Sequence, residues 1–482
     1  MSFLSGDYEL AESQCLEFKE AAGGLPEDIW ETYSAFANSE GGEIVLGVHE
    51  DGETHQFNLV GVNDAKGLID EFWKTLRNPT KVERDVMFPD GVRTILRDEL
   101  EFVVISVPRA ERGDKPVRVY NRRQKQMVAY VRRGTGDIQA SDADLSLMAY
   151  DRAAAADRRP IEHLGLKTFC PETVRRYRNL FSALKPDSPW VDDSDEDFLF
   201  HIGAATRGAD GGLKPTRAGL LAFGYEYEIT DYLPQYLLDY REETSGLDRW
   251  DDRVVSQSGD WSGNLVDFYL TVSQRLKRYF KAPFGADEFG MAHVSRNPVT
   301  EAANEAVVNA LIHAYYGDSC TVKVILKPDK LVVTNPGGFL IDRSVAIAGG
   351  VSEARNPTLV RIFSFMGAND RAGSGLQKIW RTWREAYGVE PAFEETHLPA
   401  GVRITLPIRG ETPAGTSQNA DLPATANAIV SVLSNHPAGL TSQEITEAIG
   451  VSKRTVQKWL KRLEELNLVS YWREDGKVKY KA

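Results

Sequence analysis

Four polar side chains recur at intervals of four residues between Thr300 and Ala314: Glu301, Glu305, Asn309 and His313. In a helix this spacing places all four on one face, one above the other, while the apolar residues between them fall on another face. A column of this kind is typical of a solvated helix face, and it is also what a buried polar site needs. The sequence that follows the column helps to decide between a solvated face and a buried polar site.

Two glycine-containing turns follow the column. Residues 320–338 predict a hairpin of two alternating strands, which ends in Asn335-Pro336-Gly337-Gly338. About thirty-five residues later, Gly373-Ser374-Gly375 opens directly into a second predicted helix. A helix N-terminus preceded by glycines offers backbone N–H groups and a positive dipole end to a phosphate. The order of polar helix, hairpin, glycine turn and helix favours a nucleotide site over a solvated face.

This order resembles the GHKL ATPase fold that gyrase and histidine kinases share, over about residues 290 to 408. The resemblance implies ATP and Mg²⁺ as cofactors. It places Glu305 where a carboxylate polarises the attacking water and Asn309 where the magnesium ligand stands, a role that an amide oxygen can fill. The other expected nucleotide contacts are Asn335, Gly337, Gly338, Gly373 and Gly375.

The chain departs from the GHKL pattern at two places. Asn335 stands where an aspartate commonly accepts a hydrogen bond from adenine, and an amide oxygen can also accept. The segment more closely resembles the divergent GHKL-like domain of bacterial helicase-related or transcriptional-regulator proteins, which usually carry an Arg and an Asp after the histidine. His313-Ala314-Tyr315-Tyr316 lacks both, which predicts nucleotide binding without rapid hydrolysis. Of the polar column, Glu301 is expected at the surface and His313 in a structural role. No phosphate loop of the Walker type occurs in the sequence, so a P-loop helicase is not expected.

Near the amino terminus, alternation in residues 12–20 predicts a strand with Glu17 and Lys19 on one face. Residues 26–40 predict a helix with an apolar stripe, and residues 41–52 a glycine turn with a short strand. The strings "ESQCLEFKE", "AFANSEGGEIVLGV" and "AYVRRGT" resemble the Schlafen-type AlbA-like domain over about residues 8 to 150. That resemblance implies nucleic-acid binding. In some members the domain is an endoribonuclease for transfer RNA.

The nuclease alternative rests on carboxylates. Glu12 and Glu17 correspond to the first two acids of the nuclease members, and the third acid would be Glu50 or Asp51. Three carboxylates around a divalent metal could activate water for phosphodiester cleavage. Glu17 and Lys19 could equally form a pair on a solvated sheet face, which favours a binding domain.

Basic residues concentrate in two regions of an acidic chain whose net charge is −13. Between Arg109 and Arg133 there are nine Lys or Arg against two acids, and from Thr425 onward nine against six. This distribution predicts localised phosphate contacts, with a solvated loop as the alternative for the first region. The candidate contacts in the amino-terminal domain are Lys19, Arg118, Arg122, Arg123, Arg132 and Arg133.

The last sixty residues predict a winged helix-turn-helix after a polar linker at 411–424. Three short helices, the second opened by the capping box Thr441-x-x-Glu444, precede a hairpin around Asp475-Gly476. The segment resembles that family throughout, which implies DNA binding by the exposed side of the third helix and the wing. The candidates for base edges are Arg454, Gln457 and Lys458, and those for phosphates are Lys453, Lys461 and Lys477. A module for protein contacts alone is the alternative.

The whole chain of 482 residues, 42% hydrophobic and 26% charged, predicts a multidomain α+β protein. The expected domains are an AlbA-like domain at 1–158, a connector at 159–289, a GHKL-like α/β sandwich at 290–410 and the winged helix at 425–482. Three separated cysteines, no long apolar run and no signal-peptide pattern predict a cytoplasmic location and no membrane partner. The expected function is an ATP-binding, DNA-binding transcriptional regulator, a homodimer or higher homo-oligomer. The alternative is a nuclease in phage defence or stress.

Overall fold

The computed structural model describes residues 11–52, 54, 56–153, 155–245, 250–280, 297–317, 321–351, 353–369, 373–397, 400–408, 429, 432–433, 440–449, 451–465, 469–474 and 477–481. The chain divides into two compact units, Met1–Gly410 and Glu411–Ala482. None of the helices in the described part is long and apolar enough to cross a membrane.

The described residues from 11 to 152 form three small sheets and three helices. Their elements are β1 (Leu16–Lys19), α1 (Ile29–Asn38), β2 (Gly42–Leu46), β3 (Val48–Glu50), β4 (Phe57–Leu59), α2 (Ala65–Leu76), β5 (Val92–Arg97), β6 (Leu100–Val107), β7 (Arg118–Asn121), β8 (Gln126–Arg133), β9 (Gly136–Gln139) and α3 (Asp142–Arg152). One sheet has the order β1-β2-β6-β5, with β1 parallel to β2, a second has the order β7-β8-β9, and the third is the antiparallel pair β3-β4. The predicted strand and helix are confirmed, and Ile29, Tyr33 and Phe36 of α1 are fully buried.

The rest of the first unit is built on a larger sheet. Its helices and strands are α4 (Pro171–Leu184), α5 (Asp195–Ile202), β10 (Ala205–Arg207), β11 (Leu213–Pro215), α6 (Arg217–Phe223), α7 (Glu226–Tyr232), β12 (Leu237–Glu242), β13 (Asp252–Val255), α8 (Leu265–Tyr279), α9 (Pro298–His313), β14 (Thr321–Leu326), β15 (Lys330–Pro336), α10 (Arg343–Ala348), α11 (Pro357–Phe365), α12 (Gly375–Tyr387), β16 (Ala392–His397) and β17 (Ala400–Pro407). Short 3-10 helices lie at Ala156–Arg158, Leu166–Thr168 and Ser256–Ser258.

Six strands form the large sheet in the order β13-β12-β14-β15-β17-β16. The predicted hairpin of β14 and β15 is confirmed, with Leu326 opposite Leu331. Strands β12 and β13 come from the segment predicted as a connector, and β12 pairs in parallel with β14. One hydrophobic core runs from Ile161 to Leu406 across both segments. The boundary at residue 289 stays a prediction, and it lies outside the described residues.

The second unit contains β18 (Leu440–Thr441), α13 (Ser442–Ile449), α14 (Lys453–Glu465), β19 (Ser470–Glu474) and β20 (Lys477–Lys481). The predicted capping box is confirmed, because Glu444 accepts from the Thr441 N–H at 2.7 Å while Thr441 Oγ1 accepts from the Glu444 N–H at 3.3 Å. Buried Val456, Leu460 and Leu463 on α14 confirm its apolar face. Strands β19 and β20 pair as the predicted wing. Most of the predicted first helix, and the wing's turn, lie outside the described residues.

Candidate nucleotide site and nucleic-acid surfaces

A cleft with an open volume of about 1020 Å³ lies beside the large sheet, against α9 and the start of α12. Six of the seven residues predicted to bind or act on the nucleotide line it: Glu305, Asn309, Asn335, Gly338, Gly373 and Gly375. They come from three separate stretches of the chain. The structure therefore brings together residues that the sequence predicted as one site.

Helix α9 carries the two residues on which the predicted chemistry depends. Asn297 begins it by accepting hydrogen bonds from the N–H groups of Val299 and Thr300 at 3.0 and 3.4 Å, and Pro298 occupies its first turn. Glu305 and Asn309 lie one turn apart on the face that lines the cleft, and Glu305 is only 9% exposed. A carboxylate and an amide thus face the same space.

The glycine turn before α12 approaches these two side chains closely. A Cβ atom at Gly375 would lie 2.5 Å from Oε1 of Glu305 and 3.0 Å from Nδ2 of Asn309. Only glycine fits there without moving Glu305. The N-terminus of α12 therefore meets the polar face of α9, and its N–H groups and dipole are where a nucleotide's phosphates would bind.

Asn335 lies at the end of β15 and is 6% exposed. Its side-chain nitrogen donates to the carbonyl oxygen of Pro336 at 3.2 Å. Because a carbonyl oxygen can only accept, the nitrogen must be the atom that faces Pro336. This contact leaves the amide oxygen available as an acceptor, and Asn335 lines the cleft.

Gly337 and Gly338 make room for side chains of the protein itself. Gly337 has φ +85°, and a Cβ there would lie 2.6 Å from Nη1 of Arg355. A Cβ at Gly338 would lie 1.7 Å from Oε1 of Glu395. Gly337 is not among the lining residues of the cleft, so its observed role is to let Arg355 approach.

Lys378 is a cleft residue that the sequence analysis did not include. It lies three residues after Gly375 on α12, lines the cleft, and forms an ion pair with Glu301 at 3.5 Å. A cation one turn into the helix suits the negative charge of a triphosphate. The sequence feature that could have identified Lys378 is the Gly-x-x-Lys spacing, which places both residues on one helix face.

His313 also lines the cleft. Burial and the nearby charge of Arg355 lower the pKa of its imidazole to about 4. The ring is therefore neutral at pH 7. This suits the structural role that the sequence analysis expected for it.

The residues present fit a magnesium ion that takes most of its ligands from phosphates and water. Asn309 offers one amide oxygen and Glu305 one carboxylate, which is the small protein share that Mg²⁺ usually takes. Within the described part of the chain, no group of three or more His, Cys, Asp or Glu side chains is arranged to hold a metal.

The same finding bears on the acids of the amino-terminal domain. Glu12 accepts from the Phe18 N–H at 3.0 Å, and burial raises the pKa of its carboxyl group, as does the charge of Glu17. Glu17 accepts from Lys19 Nζ at 3.1 Å and from Arg132 Nη2 at 2.8 Å. The two acids are neighbours, but a three-acid metal centre with Glu50 or Asp51 is not formed among the described residues.

Two predicted nucleic-acid contacts are buried instead, and the structure corrects them. The Arg132 side chain is 1% exposed, pairs with Glu17 and Asp137, and lies over the ring of Phe36. Lys19 is 10% exposed and pairs with Glu17 and Asp28. Both charges are neutralised within the domain, so neither is presented to a phosphate.

The other predicted basic residues differ in accessibility. Arg118 pairs with Glu83 and is 35% exposed, whereas Arg122 and Arg123 are exposed. Arg133 is bound by both carboxylate oxygens of Asp144. In the second unit, Lys453, Gln457, Lys458 and Lys461 are exposed on α14. The side chains of Arg454 and Lys477 lie outside the description.

Comparison with protein families identifies four matching segments. Residues 12–141 match "Schlafen, AlbA_2", and residues 319–406 match "Putative ATP-dependent DNA helicase recG C-terminal". Residues 425–470 match an HTH domain, and residues 146–239 match a domain of unknown function, DUF8451. The suspected combination of AlbA-like, ATPase-like and helix-turn-helix domains is thereby confirmed, as is the mixed α and β multidomain fold.

Two solved structures resemble the chain. The DIP2311 protein from Corynebacterium diphtheriae is 18% identical, with a TM-score of 0.39, over 97% of this chain and 79% of that one. The N-terminal domain of an ATP-dependent DNA helicase RecG-related protein from Nitrosomonas europaea is 22% identical, with a TM-score of 0.21, over 28% of this chain and 84% of that one. No curated protein matches the chain.

Proposed function

Because one chain carries a Schlafen AlbA_2 domain, an ATPase-like domain and an HTH domain, we propose that it is a DNA-binding transcriptional regulator controlled by ATP. The observation that carries this proposal is the cleft where Glu305, Asn309 and Gly375 meet. There Asn309 would hold Mg²⁺, Asn335 would accept a hydrogen bond from the adenine amino group, and the N–H groups at the start of α12 would bind the phosphates. Glu305 would polarise the attacking water, with slow hydrolysis.

The regulation follows from what surrounds the nucleotide. Residues Phe339, Leu340, Ala346, Val351 and Glu353 line the cleft and belong to the segment between the hairpin and α12. Nucleotide binding holds this segment, which contains α10 and α11, in one arrangement and changes how the nucleic-acid-binding domains are presented. This is a two-state switch biased by a ligand. The protein acts in the cytoplasm, on a palindromic site as a homodimer or higher homo-oligomer.

The test begins with a DNA duplex selected from a random library by the full-length protein. Its affinity is then measured with and without Mg²⁺ and a non-hydrolysable ATP analogue. We expect the analogue to change DNA affinity several-fold. We also expect Asn309→Ala to weaken binding of the analogue about tenfold, which is about 1.4 kcal/mol, and to remove its effect on DNA.

Asn304→Ala is the matched control, because Asn304 lies on the same helix but not among the residues of the cleft. Equal DNA affinities with and without the analogue would contradict the coupling. Failure of the library to yield any enriched duplex would contradict DNA binding itself.

The nuclease alternative has Glu12 and Glu17 as its catalytic acids and transfer RNA as its substrate. Incubation of the protein with Mn²⁺ and total RNA tests it. Because Glu17 neutralises buried Arg132, Glu17→Ala would also disturb the fold, so Glu17→Gln with unchanged thermal unfolding is the better variant. Cleavage that this variant loses would favour the nuclease.

A further inference from the structure

A second cavity, with an open volume of about 810 Å³, lies within the first unit, between the AlbA-like domain and the large sheet. One side comes from α3, β8 and the segment from Arg109 to Lys115. The other side comes from Arg355, Glu395 and residues 338–340. Residues 338–340 line the nucleotide cleft as well, so the two cavities share one short wall.

The lining of this domain-junction cavity carries more cations than acids. Six of its residues are Lys or Arg and four are Asp or Glu. Three of the arginines are held by acids of the same lining: Arg109 by Glu40 at 2.8 Å, Arg133 by Asp144 at 3.0 Å and Arg355 by Asp151 at 2.6 Å. Arg132 is neutralised by Glu17 and Asp137, outside this lining. Lys115, Arg112 and the acid Glu395 remain, and Glu395 lies 3.6 Å from Arg109.

Lys115 has a neutral partner where a buried ammonium would ordinarily have a carboxylate. Its Nζ atom donates to the carbonyl oxygen of Asn38 at 2.7 Å, and it forms no ion pair with any residue that the structure describes. Burial and the charge of Arg109 lower the pKa of this ammonium to about 7. The charges of Glu395, Glu40 and Asp151 act in the opposite direction, although none of these acids forms an ion pair with Nζ among the described residues. A bound anion in contact with Nζ would further offset the cost of burying this ammonium.

Arg112 is a second cation of the cavity, and its ion pair with an acid is long. Its Nε atom lies 3.6 Å from Oε2 of Glu353, beyond hydrogen-bond distance, and its side chain is 33% exposed. A guanidinium that is free of a bidentate partner matches two oxygens of a phosphate. The compact ammonium of Lys115 and the planar guanidinium of Arg112 thus line the same cavity.

We propose that the domain-junction cavity is a second ligand site, separate from the nucleotide cleft, which binds a phosphate group through Lys115 and Arg112. The phosphate belongs either to the 5′ end of a nucleic-acid strand, which suits the AlbA-like domain on one side, or to a free nucleotide. The site does not depend on ATP binding in the cleft.

Titration calorimetry on the full-length protein tests the proposal. The cleft is first filled with Mg²⁺ and a non-hydrolysable ATP analogue, whose binding is measured separately, so that failure of the nucleotide site is recognised on its own. The probes are pyrophosphate, a 5′-phosphorylated decanucleotide, the same decanucleotide with a 5′-hydroxyl group, and a nucleoside monophosphate. If the analogue does not bind, the same probes are titrated without it.

We expect Lys115→Met and Arg112→Gln each to weaken pyrophosphate binding about tenfold. The control Arg93→Gln removes one positive charge on β5, outside both cavities, and should leave binding unchanged. A preference for the 5′-phosphorylated strand over the 5′-hydroxyl strand assigns the phosphate to nucleic acid, and tight binding of the monophosphate alone assigns it to a nucleotide. Absence of pyrophosphate binding, or an equal loss in all three variants, overturns the proposal.

Discussion

His313 shows how one residue can serve the cleft without chemistry of its own. Its carbonyl oxygen accepts a hydrogen bond from Arg355, and its neutral ring lines the cavity wall. The pKa of the ring falls from 6.5 to about 4 because burial and Arg355 disfavour the charged form. The imidazole therefore makes the stability of the folded state depend on pH.

The sign of that dependence follows from linkage. Between pH 6.5 and 4 the unfolded chain binds a proton on His313 that the folded chain does not, so stability falls as pH falls through this range. We expect wild type to lose about 2 kcal/mol more than His313→Asn in free energy of unfolding between pH 7.5 and 5. Denaturant titrations at both pH values measure it. His163→Asn, at an exposed histidine, should match wild type, and equal losses in all three proteins would contradict the burial of His313.

Prediction at the level of single residues succeeded where periodicity determines which face of a helix a side chain occupies. A spacing of four allows one arrangement on a helix, and Glu305 and Asn309 do line one cavity. Strand alternation separates Arg132 from Arg133 but does not say which of them points inward. Arg132 can be buried because Asp137 on the next strand and Glu17, 115 residues away in sequence, supply its counter-charges. Lys115 likewise looked like one more member of a basic run.

At the scale of elements, α11 begins against an acid from outside its own sequence. Asp157 lies in a 3-10 helix and is fully buried. Its carboxylate accepts from the N–H groups of Thr358 and Leu359 at 2.8 and 3.0 Å and from Oγ1 of Thr358 at 3.0 Å. It satisfies N–H groups that the first turn of a helix cannot pair internally.

Removing this acid should leave three buried donors without an acceptor. We expect Asp157→Ala to lower the free energy of unfolding of the first unit by about 2–3 kcal/mol. Thermal or denaturant unfolding of the full-length protein measures the change. Asp187→Ala removes an exposed acid and should change stability by less than about 0.5 kcal/mol. Similar effects of the two variants would show that Asp157 does not cap α11.

The strand order of the large sheet could be predicted only in part from local sequence patterns. Its hairpin of β14 and β15 is local, and turn residues were enough to place it. Strand β12 joins the same sheet in parallel with β14, from about 80 residues earlier in the chain. A parallel partner at that separation leaves no turn signal between the strands, and β12 reads as a short apolar run that suits several structures.

At the scale of the whole first unit, Arg355 connects its two halves. Asp151 belongs to α3, which packs on β8 of the AlbA-like domain through Met148. Arg355 binds both oxygens of Asp151 at 2.6 and 3.1 Å and donates to the carbonyl oxygens of Gly338 and His313. Its side chain is 1% exposed. This buried guanidinium thus joins the AlbA-like domain to the wall of the cleft, as does the hydrogen bond from Tyr150 to Asn356 at 2.7 Å.

This arrangement makes Asp151 and Arg355 a testable unit. Arg355→Gln leaves a half-buried carboxylate unpaired and two carbonyl groups without their donor, so we expect a loss of about 3 kcal/mol in free energy of unfolding. Asp151→Asn should cost less, because Arg355 keeps its two carbonyl partners. In the double variant neither charge remains, and we expect its loss to be smaller than the sum of the single losses by at least about 1 kcal/mol.

The same variants separate stability from communication between the halves. Because Arg355 holds the carbonyl of Gly338, we expect Asp151→Asn to retain binding of an ATP analogue within about threefold but to reduce the effect of that analogue on nucleic-acid affinity. The matched control is Asp144→Asn, which breaks the other α3 ion pair, with Arg133, without touching Arg355. Additive stability losses, or an analogue effect that Asp144→Asn reduces as much as Asp151→Asn, would contradict a connection through Arg355. Non-additive losses together with a selective effect of Asp151→Asn would show that this ion pair contributes to the coupling between the domains.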